Sequence, residues 1–231
     1  MNIKDYKFKT ELHAHTKPAS KCGQIEAVDV VRNFAELGYN SIVISNHLSP
    51  ATPYLEDKEK CIDFFLNDFD TAVKEGEKLG VNIILGCEIR FTENHNDYLL
   101  FGIDREFISE GYDCLEKGIA EFSKQFRNDK RLLIQAHPFR NDMVEVSPEY
   151  LDGIEVFNAH PGHNSRISIA AKYAKEHNFI STCGTDYHHP GHEGLVSMLT
   201  KTEMKTSHDI AAVLKSRDYL FEMNGFIILP Y

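Results

Sequence analysis

Short apolar segments alternate along the chain with longer segments in which apolar residues recur every three or four positions. The short segments predict β-strands, at Phe8–His15, Ser41–Asn46, Val81–Cys87, Tyr98–Ile103, Leu132–Ala136, Gly153–Phe157, Phe179–Cys183 and Leu195–Leu199. The longer segments predict helices, at Ala27–Leu37, Cys61–Leu79, Cys114–Phe126, Ile167–Ala174 and Ile210–Leu214. Gly38 follows the first of these where a helix C-cap would lie.

This alternation of strand and helix predicts a parallel sheet with helical crossovers. Seven or eight such units in 231 residues favour an α/β fold, a closed β/α barrel somewhat shorter than the usual ~250 residues. An open doubly wound sheet is the alternative, although no G-x-G-x-x-G follows the first strand. No repeat or flexible linker interrupts the sequence, so residues 1–231 are expected to form a single domain.

Composition narrows the class of protein. The chain has 42% hydrophobic residues, enough for a core, and a net charge of −10, which argues against an extended nucleic-acid surface. No apolar stretch reaches the ~20 residues of a membrane span, and the first residues lack the apolar region of a signal peptide. The five cysteines are dispersed without a CxxC pair, which favours reduced thiols and a cytoplasmic location.

Six predicted strands end in, or run directly into, residues that can bind metals. These are His13 and His15, His47, Glu88, His137, His160, and the pair Asp186 and His188. The carboxyl ends of parallel strands meet at one rim of a barrel, so we expect these side chains to converge there. A site rich in imidazole and carboxylate suits Zn, Mn or Fe better than Ca or Mg.

The spacing within the two pairs supports a shared site. Residues two apart on a strand share a face, so His13 and His15 are expected to point the same way, as are Asp186 and His188. Glu88 could then bridge two ions through its two oxygens. The remaining histidines lack this placement, and most are expected in solvated loops or helices: His95, His163, His177, His189, His192 and His208. Cys87 and Cys183, inside strands, are expected to be core residues.

The sequence resembles the PHP (polymerase and histidinol phosphatase) family. The stretches that carry the resemblance run in the family's order over nearly the whole chain, at 11–16, 45–47, 86–89, 136–140, 153–158 and 184–188. The resemblance implies a distorted barrel of about seven strands, a (β/α)7 barrel, with two to three divalent ions at its C-terminal rim. It also implies three ligand groups: His13, His15, Glu88 and Asp186 for one ion, Glu88 and His137 for the second, and His47 and His188 for the third.

The sequence departs from the family pattern at two places. Cys22 lies in the altered segment after the His-x-His motif and could be a thiolate ligand of the third ion. Asp97 stands where the family has a histidine and could bind the second ion, with His95 as the alternative. His160 lies two residues beyond Asn158, which matches the family motif, so its role is open.

The expected function is that of a metal-dependent phosphoesterase acting on a small phosphorylated metabolite, such as histidinol phosphate or a nucleotide. Bridged ions can supply an activated hydroxide and stabilise charge on the phosphoryl group. Arg140 is the best of four basic candidates for adding to that stabilisation, the others being Lys17, Arg90 and Arg166. Asp186 or His188 could protonate the leaving oxygen.

Three alternatives stay open at this stage. An amidohydrolase-like enzyme also begins with His-x-His and has a late Asp, but it typically bridges its ions with a modified lysine, where this chain has Glu88. A nuclease or proofreading activity is the second, although the chain has no basic stripe. The third is a metal-binding module without activity, which the altered segment 20–23 would suit.

Overall fold

Twelve β-strands and six α-helices make up the computed structural model, which describes residues 2–230. The strands are β1 (Phe8–Ala14), β2 (Ser41–Ile44), β3 (His47–Leu48), β4 (Asn82–Leu85), β5 (Cys87–Arg90), β6 (Asp97–Phe101), β7 (Leu132–Gln135), β8 (Gly153–Asn158), β9 (Ile180–Gly184), β10 (Val196–Thr200), β11 (Leu220–Met223) and β12 (Phe226–Ile228). The helices are α1 (Ala27–Glu36), α2 (Lys58–Leu79), α3 (Arg105–Tyr112), α4 (Gly118–Phe126), α5 (Ile167–Glu176) and α6 (Ser207–Ser216). Within residues 2–230, no helix has the length and apolar character needed to cross a membrane.

The strands form two six-stranded sheets that together enclose a distorted barrel. The orders are β12-β11-β10-β1-β2-β4 and β3-β5-β6-β7-β8-β9. The sheets continue into each other, because two residues separate β2 from β3 and one separates β4 from β5. The ring closes at the rim, where the N–H of His15 donates to the Tyr187 carbonyl (3.1 Å) and the N–H of Tyr187 donates to the His13 carbonyl (3.1 Å). Seven strand positions therefore surround the barrel, as the family resemblance implies.

Two features differ from the expected all-parallel sheet. β6 runs antiparallel to both β5 and β7, so its first residue, Asp97, pairs with Arg90 at the end of β5. This reversal brings Asp97 to the rim where the neighbouring strands finish. The last predicted strand, observed as β10, pairs antiparallel with β1 outside the ring and continues into the β11–β12 hairpin. Because β10 pairs with residues 8–10 of β1, β9 contacts β1 only near the rim.

Local sequence explains where the helices begin and end. The Asp57 side chain accepts the Lys60 N–H at the start of α2, and Gly80, with φ of 72°, ends it. At α6, Thr206 and Asp209 form a complete capping box. The short helix α3 was not predicted, whereas the other five helices agree with the sequence pattern to within a few residues.

The apolar core lies both between the sheets and under the helices. One buried cluster joins Leu12 and Val43 of the first sheet to Leu99 and Ile134 of the second. Another packs the aromatic residues of α2, α3 and α4 against β5 to β8, and a third packs α1 against β2. Cys87 and Cys183 are fully buried, as expected. This packing fixes the strand ends from which the candidate site is built.

Candidate metal centre

The strand ends surround one pocket of about 270 Å³ at the rim of the barrel. Its lining consists almost entirely of polar and ionisable side chains: Cys22, His47, Glu88, Arg90, Asp97, His137, Arg140, His160, His163, Asp186, His188 and His189. His13 and His15 lie against Glu88 and Asp186 and have no solvent exposure. Residues from distant parts of the sequence thus meet at one place.

Four ligand-type side chains converge at the deepest part of this pocket. The Nε2 atoms of His13 and His15 lie 3.0 Å apart. Each lies 3.4 Å from Asp186 Oδ1, and their distances to the nearest Glu88 oxygens are 3.4 Å and 3.3 Å. A tetrahedral Zn site with ligand bonds of 2.0–2.1 Å has ligand atoms about 3.3 Å apart. The observed separations fit such a site.

Glu88 lies between this group and its neighbours. Its Oε1 atom is 3.4 Å from His13 Nε2 and 3.2 Å from His137 Nε2. Its Oε2 atom is 3.3 Å from His15 Nε2 and 3.1 Å from His47 Nδ1. Each carboxylate oxygen therefore faces two imidazoles, which is the placement that a carboxylate bridging two ions needs.

A second possible ligand group includes the rim residue of the reversed strand. Ligand atoms of His47, Glu88 and Asp97 all lie within 4.8 Å of one another, and Asp97 Oδ2 is 3.8 Å from His137 Nε2. Arg90 holds Asp97 in place by two hydrogen bonds, of 2.7 Å and 2.6 Å. His95, the alternative to Asp97, is exposed and does not line the pocket.

A third group includes the cysteine of the altered segment. Ligand atoms of His15, Cys22, His47 and His188 lie within 4.8 Å of one another. The other cysteines are buried elsewhere in the fold. His160 lines the pocket but belongs to none of these groups, and its Nδ1 accepts the N–H of Gly162 at 3.0 Å.

Hydrogen bonds behind the site fix the orientation of the imidazoles. Nδ1 of His13 lies 2.9 Å from Glu155 Oε1, and Nδ1 of His188 lies 2.6 Å from the Asp186 carbonyl. The second oxygen of Glu155 accepts the backbone N–H of His137 (3.1 Å), which positions the main chain there, and a side-chain amide N–H of Asn158 (2.9 Å). Partners on Nδ1 turn Nε2 towards a metal and are typical of protein metal sites.

Sequence reasoning missed Glu155 as a functional residue. It lies in the middle of β8, and only 1% of its surface is exposed. A charged residue inside an otherwise apolar strand is rarely buried without a partner, and this was the available signal. Glu11 in β1 carried the same signal; it accepts the backbone N–H groups of His13 (2.8 Å) and Thr185 (3.0 Å).

The protein environment shifts the pKa values of the central groups in opposite directions. Burial opposes a charge on His13 and His15, but nearby carboxylates outweigh it and raise both pKa values, that of His13 well above its usual value. Burial would raise the pKa values of Glu88 and Asp186, yet the imidazoles, above all His47 for Glu88 and His13 for Asp186, hold both well below their usual range. Burial and the nearby His15 lower the pKa of His188 to about 3. The metal-free cluster is therefore stabilised by charge pairing.

Several buried polar atoms in the cluster make no well-formed hydrogen bond among the described residues, although two of them face other ligand-type atoms at 3.1–3.4 Å. They are Glu88 Oε1 and the Nδ1 atoms of His47 and His137. Buried polar groups without partners cost free energy, so their presence together needs a reason. Nitrogen and carboxylate donors, with one thiol, form a donor set that suits a transition metal. The residues present therefore fit bound divalent ions.

Arg140 is the only one of the four basic candidates that contacts the central group. Its Nη2 donates to Asp186 Oδ2, and its Nε is buried without a partner among the described residues. Arg90 also lines the pocket but is paired with Asp97. Arg166 donates to Asn141 Oδ1 (2.7 Å), and Lys17 lies 3.4 Å from Glu26, both outside the pocket lining.

Three of the remaining histidines lie in loops, and the structure brings them together near the rim. His163, His189 and His192 gather around His160, with ring centroids 4.4 Å (His160–His163), 5.2 Å (His160–His192) and 5.2 Å (His189–His192) apart. The loops after β8 and β9 fold over the same side of the rim, which periodicity along the chain does not reveal. His163 is exposed, whereas His189 and His192 are half-buried. His95, His177 and His208 are exposed, as expected.

Comparison with known proteins identifies the family. The PHP domain model matches residues 11–227, and none of the curated proteins matches the chain. Among solved structures, the chain is similar to a two-domain protein from Bacteroides vulgatus containing a predicted PHP-like metal-dependent phosphoesterase, with 17% identity, a TM-score of 0.67, and coverage of 96% of this chain and 67% of that one.

Two further structures have a similar fold at low identity. A putative metal-dependent phosphoesterase from Bifidobacterium adolescentis has 17% identity and a TM-score of 0.51, with coverage of 79% of this chain and 88% of that chain. An amidohydrolase from Chromobacterium violaceum, solved with bound sulfate and no metal, has 14% identity and a TM-score of 0.54, with the same coverage.

Proposed function

The chain belongs to the PHP domain family, and from this membership and its rim cluster we propose that it is a metal-dependent phosphoesterase acting on a small phosphorylated substrate. The observation that carries the proposal is the convergence of His13, His15, Glu88 and Asp186, whose facing ligand atoms lie 3.0–3.4 Å apart. The polar pocket above them supports a reaction on a charged substrate.

We assign the ligands of two to three divalent ions, Zn, Mn or Fe, by proximity. The first ion would be held by His13, His15, Glu88 and Asp186, the second by Glu88, His137 and Asp97, and the third by His47, His188 and Cys22. Bound ions of this kind supply a nucleophile near neutral pH and neutralise charge on a phosphoryl group. His160 is left outside the ligand set.

The chain's own residues bind and orient the substrate. Arg140, which donates to Asp186, is placed to contact a phosphate oxygen at the edge of the cluster. Asp186 and His188 are poor candidates for protonating the leaving oxygen near neutral pH, because the pKa of Asp186 is held well below its usual range and that of His188 is about 3. Because the pocket holds about 270 Å³, it suits a small ester better than an extended polymer.

Arg140 also borders a neighbouring cavity of about 390 Å³ that has an apolar wall. Phe139, Met143, Val144 and Tyr173 line this cavity. A phosphomonoester could place its phosphate at the cluster and its organic group on this side of Arg140. Histidinol phosphate and nucleotides both have the required form, a phosphate joined to a ring-bearing group.

Hydrolysis of a panel of phosphomonoesters with added Mn, Zn or Fe tests the proposal, with metal content measured on the same samples. We expect turnover by the native protein and loss of most of it in His137→Ala, which removes a ligand-type imidazole of the cluster. The matched control is His208→Ala, an exposed histidine away from the pocket, with unchanged activity expected. A native protein that binds metal but hydrolyses no phosphoester would contradict the proposal and favour a metal-binding module.

An amidohydrolase activity is the second candidate, because the fold is also similar to that of the Chromobacterium violaceum amidohydrolase. Against it, the bridging position is occupied by Glu88, and no lysine lines the pocket in the described part of the chain. Amides and lactones assayed beside the phosphoesters separate the two. Release of nucleotides from single-stranded DNA or RNA in the same assay would instead support the nuclease alternative.

Together with this function we propose a domain organisation and a location in the cell. We propose that residues 1–231 act as one domain, which a single cooperative transition by two spectroscopic probes would support. We also propose a cytoplasmic protein, since all five cysteines are unpaired. Fractionation of cells that express the protein tests the second of these.

A further inference from the structure

Four buried polar residues outside the proposed ligand set connect His15 to helix α2. They are Ser20, Asn46, Thr16 and Asp68, each at most 3% exposed. Hydrogen bonds join them in this order, from Ser20 beside the imidazole to Asp68 on α2. We call this hydrogen-bonded series of four residues the relay. Each hydrogen bond of the relay has only one possible direction, because the backbone N–H groups that contact the relay side chains can donate but never accept.

The backbone N–H of Thr16 fixes the orientation of Asn46. It donates to Asn46 Oδ1 at 2.8 Å, so this atom is the carbonyl oxygen and the other amide atom is the NH2 group. That NH2 group donates to Thr16 Oγ1 at 2.8 Å. The threonine hydroxyl therefore accepts from Asn46 and gives its own proton to Asp68 Oδ2, at 2.9 Å. Asp68 Oδ2 also accepts the Ala19 N–H at 2.9 Å, so it acts as an acceptor.

The same logic fixes the proton of Ser20. Its hydroxyl lies 2.9 Å from Asn46 Oδ1, which can only accept, so Ser20 donates there. The N–H of His47 donates to Ser20 Oγ at 3.0 Å. One lone pair of the serine oxygen is left, and it faces Nδ1 of His15 at 3.2 Å. Nδ1 must therefore carry a hydrogen.

We propose that the relay selects the tautomer of His15 that is protonated on Nδ1, and so presents the Nε2 lone pair to the metal cluster. Ser20 is the positioning residue that contacts the imidazole, and Asp68 is the acceptor that ends the relay. This inference rests on the proposed metal site, since a tautomer preference matters only if Nε2 binds an ion. It gives α2, which supplies no ligand, a role in metal binding.

Ser20→Ala removes the acceptor of the His15 Nδ1–H. We expect the affinity for Zn²⁺, measured by competition with a chelator, to fall about 10- to 100-fold, as when other outer partners of metal-binding histidines are removed. Ser45→Ala is the matched control: this serine is also 1% exposed and next to Asn46, but its hydroxyl bonds to the Ala14 carbonyl outside the relay. The control should keep native affinity.

Nitrogen-15 NMR of the histidine side chains gives a readout that a merely structural role would not change. In the native metal-free protein at alkaline pH, we expect the neutral ring of His15 to carry its proton on Nδ1. In Ser20→Ala we expect a mixture of tautomers. A Ser20→Ala protein with both the native tautomer and the native Zn²⁺ affinity would overturn the proposal.

Two variants of Asp68 test the far end of the relay. Asp68→Asn keeps an oxygen that can accept from Thr16 and Ala19, so Zn²⁺ affinity should stay within about threefold of native. Asp68→Ala removes that acceptor and should weaken affinity. If the asparagine variant lost as much affinity as the alanine variant, the carboxylate charge and not the bond direction would matter, and the relay would be refuted.

The outcomes separate this inference from the function on which it rests. A native protein that binds Zn²⁺ with the His15 tautomer described, yet hydrolyses no ester, would defeat the proposed function and leave the relay standing. If the native protein bound no divalent ion, the proposed function would fail, and the NMR comparison of native and Ser20→Ala protein would still decide whether the relay sets the tautomer.

Discussion

His13 and Glu155 form a fully buried pair in which imidazole Nδ1 and carboxylate Oε1 lie 2.9 Å apart. The pair joins β1 to β8 and turns the Nε2 atom of His13 towards His15, Glu88 and Asp186. The other oxygen of Glu155 accepts the backbone N–H of His137. The Glu155 side chain therefore positions both His13 and the main chain at His137. Glu155 is therefore the central support of the candidate site.

Replacing Glu155 by alanine should weaken metal binding and lower stability together. His13 Nδ1 and the His137 N–H would both lose their partner, and each buried group left unpaired costs about 1–3 kcal/mol. We expect the affinity for the first ion to fall about 10- to 100-fold. Chelator competition and urea unfolding measure the two effects. Native metal affinity in this variant would show that Glu155 has no part in the site.

Metal binding at neutral pH should release protons. The pKa of His13 is raised well above its usual value by the nearby carboxylates, so its imidazole is largely protonated at pH 7 before a metal binds, and a metal needs the neutral form. Glu88 and Asp186 are already ionised and contribute no protons. Affinity should therefore weaken as the pH falls. Calorimetry in two buffers with different ionisation enthalpies measures the release; identical binding enthalpies in both would contradict it.

Cys22 should give a spectroscopic signature of the third ion. If its sulfur binds metal with His47 and His188, the Co²⁺-loaded protein will have an intense thiolate-to-metal absorption band in the near ultraviolet. Cys22→Ser should abolish the band and reduce the bound metal by about one equivalent. The matched control is Cys114→Ser, a cysteine away from the rim, in which the band should persist. A band that survives in Cys22→Ser would place the thiolate ligand elsewhere.

Gly184 on β9 leaves the space that His13 and Glu155 occupy. A Cβ atom there would lie 2.3 Å from His13 Cβ and 2.7 Å from Glu155 Oε1. Gly184→Ala should therefore cost about 1–3 kcal/mol of stability through overpacking and also reduce the bound metal.

A crowded glycine away from the rim provides the control for Gly184. At Gly76 in α2, a Cβ atom would lie 2.6 Å from the Val81 carbonyl oxygen and 2.7 Å from Ile83 Cγ1. Gly76→Ala should lose stability but keep its metal content, as measured by elemental analysis. Equal metal loss in the two variants would mean that instability alone, and not crowding of His13, accounts for the effect.

Arg140 should contribute to turnover of phosphoesters. It is the basic residue that contacts Asp186, and removing one donor from a developing negative charge typically slows a reaction about 100- to 1,000-fold. Arg140→Ala should lower kcat in that range while leaving metal content unchanged. Arg105→Ala, whose guanidinium bonds to Asp70 on the outer surface and lines neither cavity, is the comparison variant and should lose much less. Equal losses in the two variants would remove the case for Arg140.

The sequence predicted the strand ends well, because ligand-type residues directly follow apolar runs. The expected segments around β1, β2, β7, β8 and β9 agree closely with the structure. The direction of β6 could not be predicted, since an apolar run has the same pattern in either direction. The family resemblance named Asp97 as a possible ligand, and its pairing with Arg90 shows how the reversed strand brings it to the rim.

Other parts of the site depend on contacts between loops distant in sequence. The four-histidine group around His160 forms because the loops after β8 and β9 meet, and no periodicity records that meeting. The relay from Asp68 to Ser20 depends on helix α2 packing against the segment after β1. Single buried polar residues, such as Asp68 and Glu155, were the only sign of such contacts along the chain.

The reversed strand gives one corner of the entrance a different architecture from the rest. After β1, β3 and β8, the chain leaves the rim towards a helix that returns along the outside of the barrel. At this corner a plain hairpin, residues 91–96, connects Arg90 to Asp97. Changes at its tip would reshape the mouth, whereas Glu93 within it accepts the Ile119 N–H at the start of α4 (2.8 Å) and ties the hairpin to that helix. We therefore expect changes in the length of this hairpin to alter access to the pocket, while the ligands at the other strand ends keep their places.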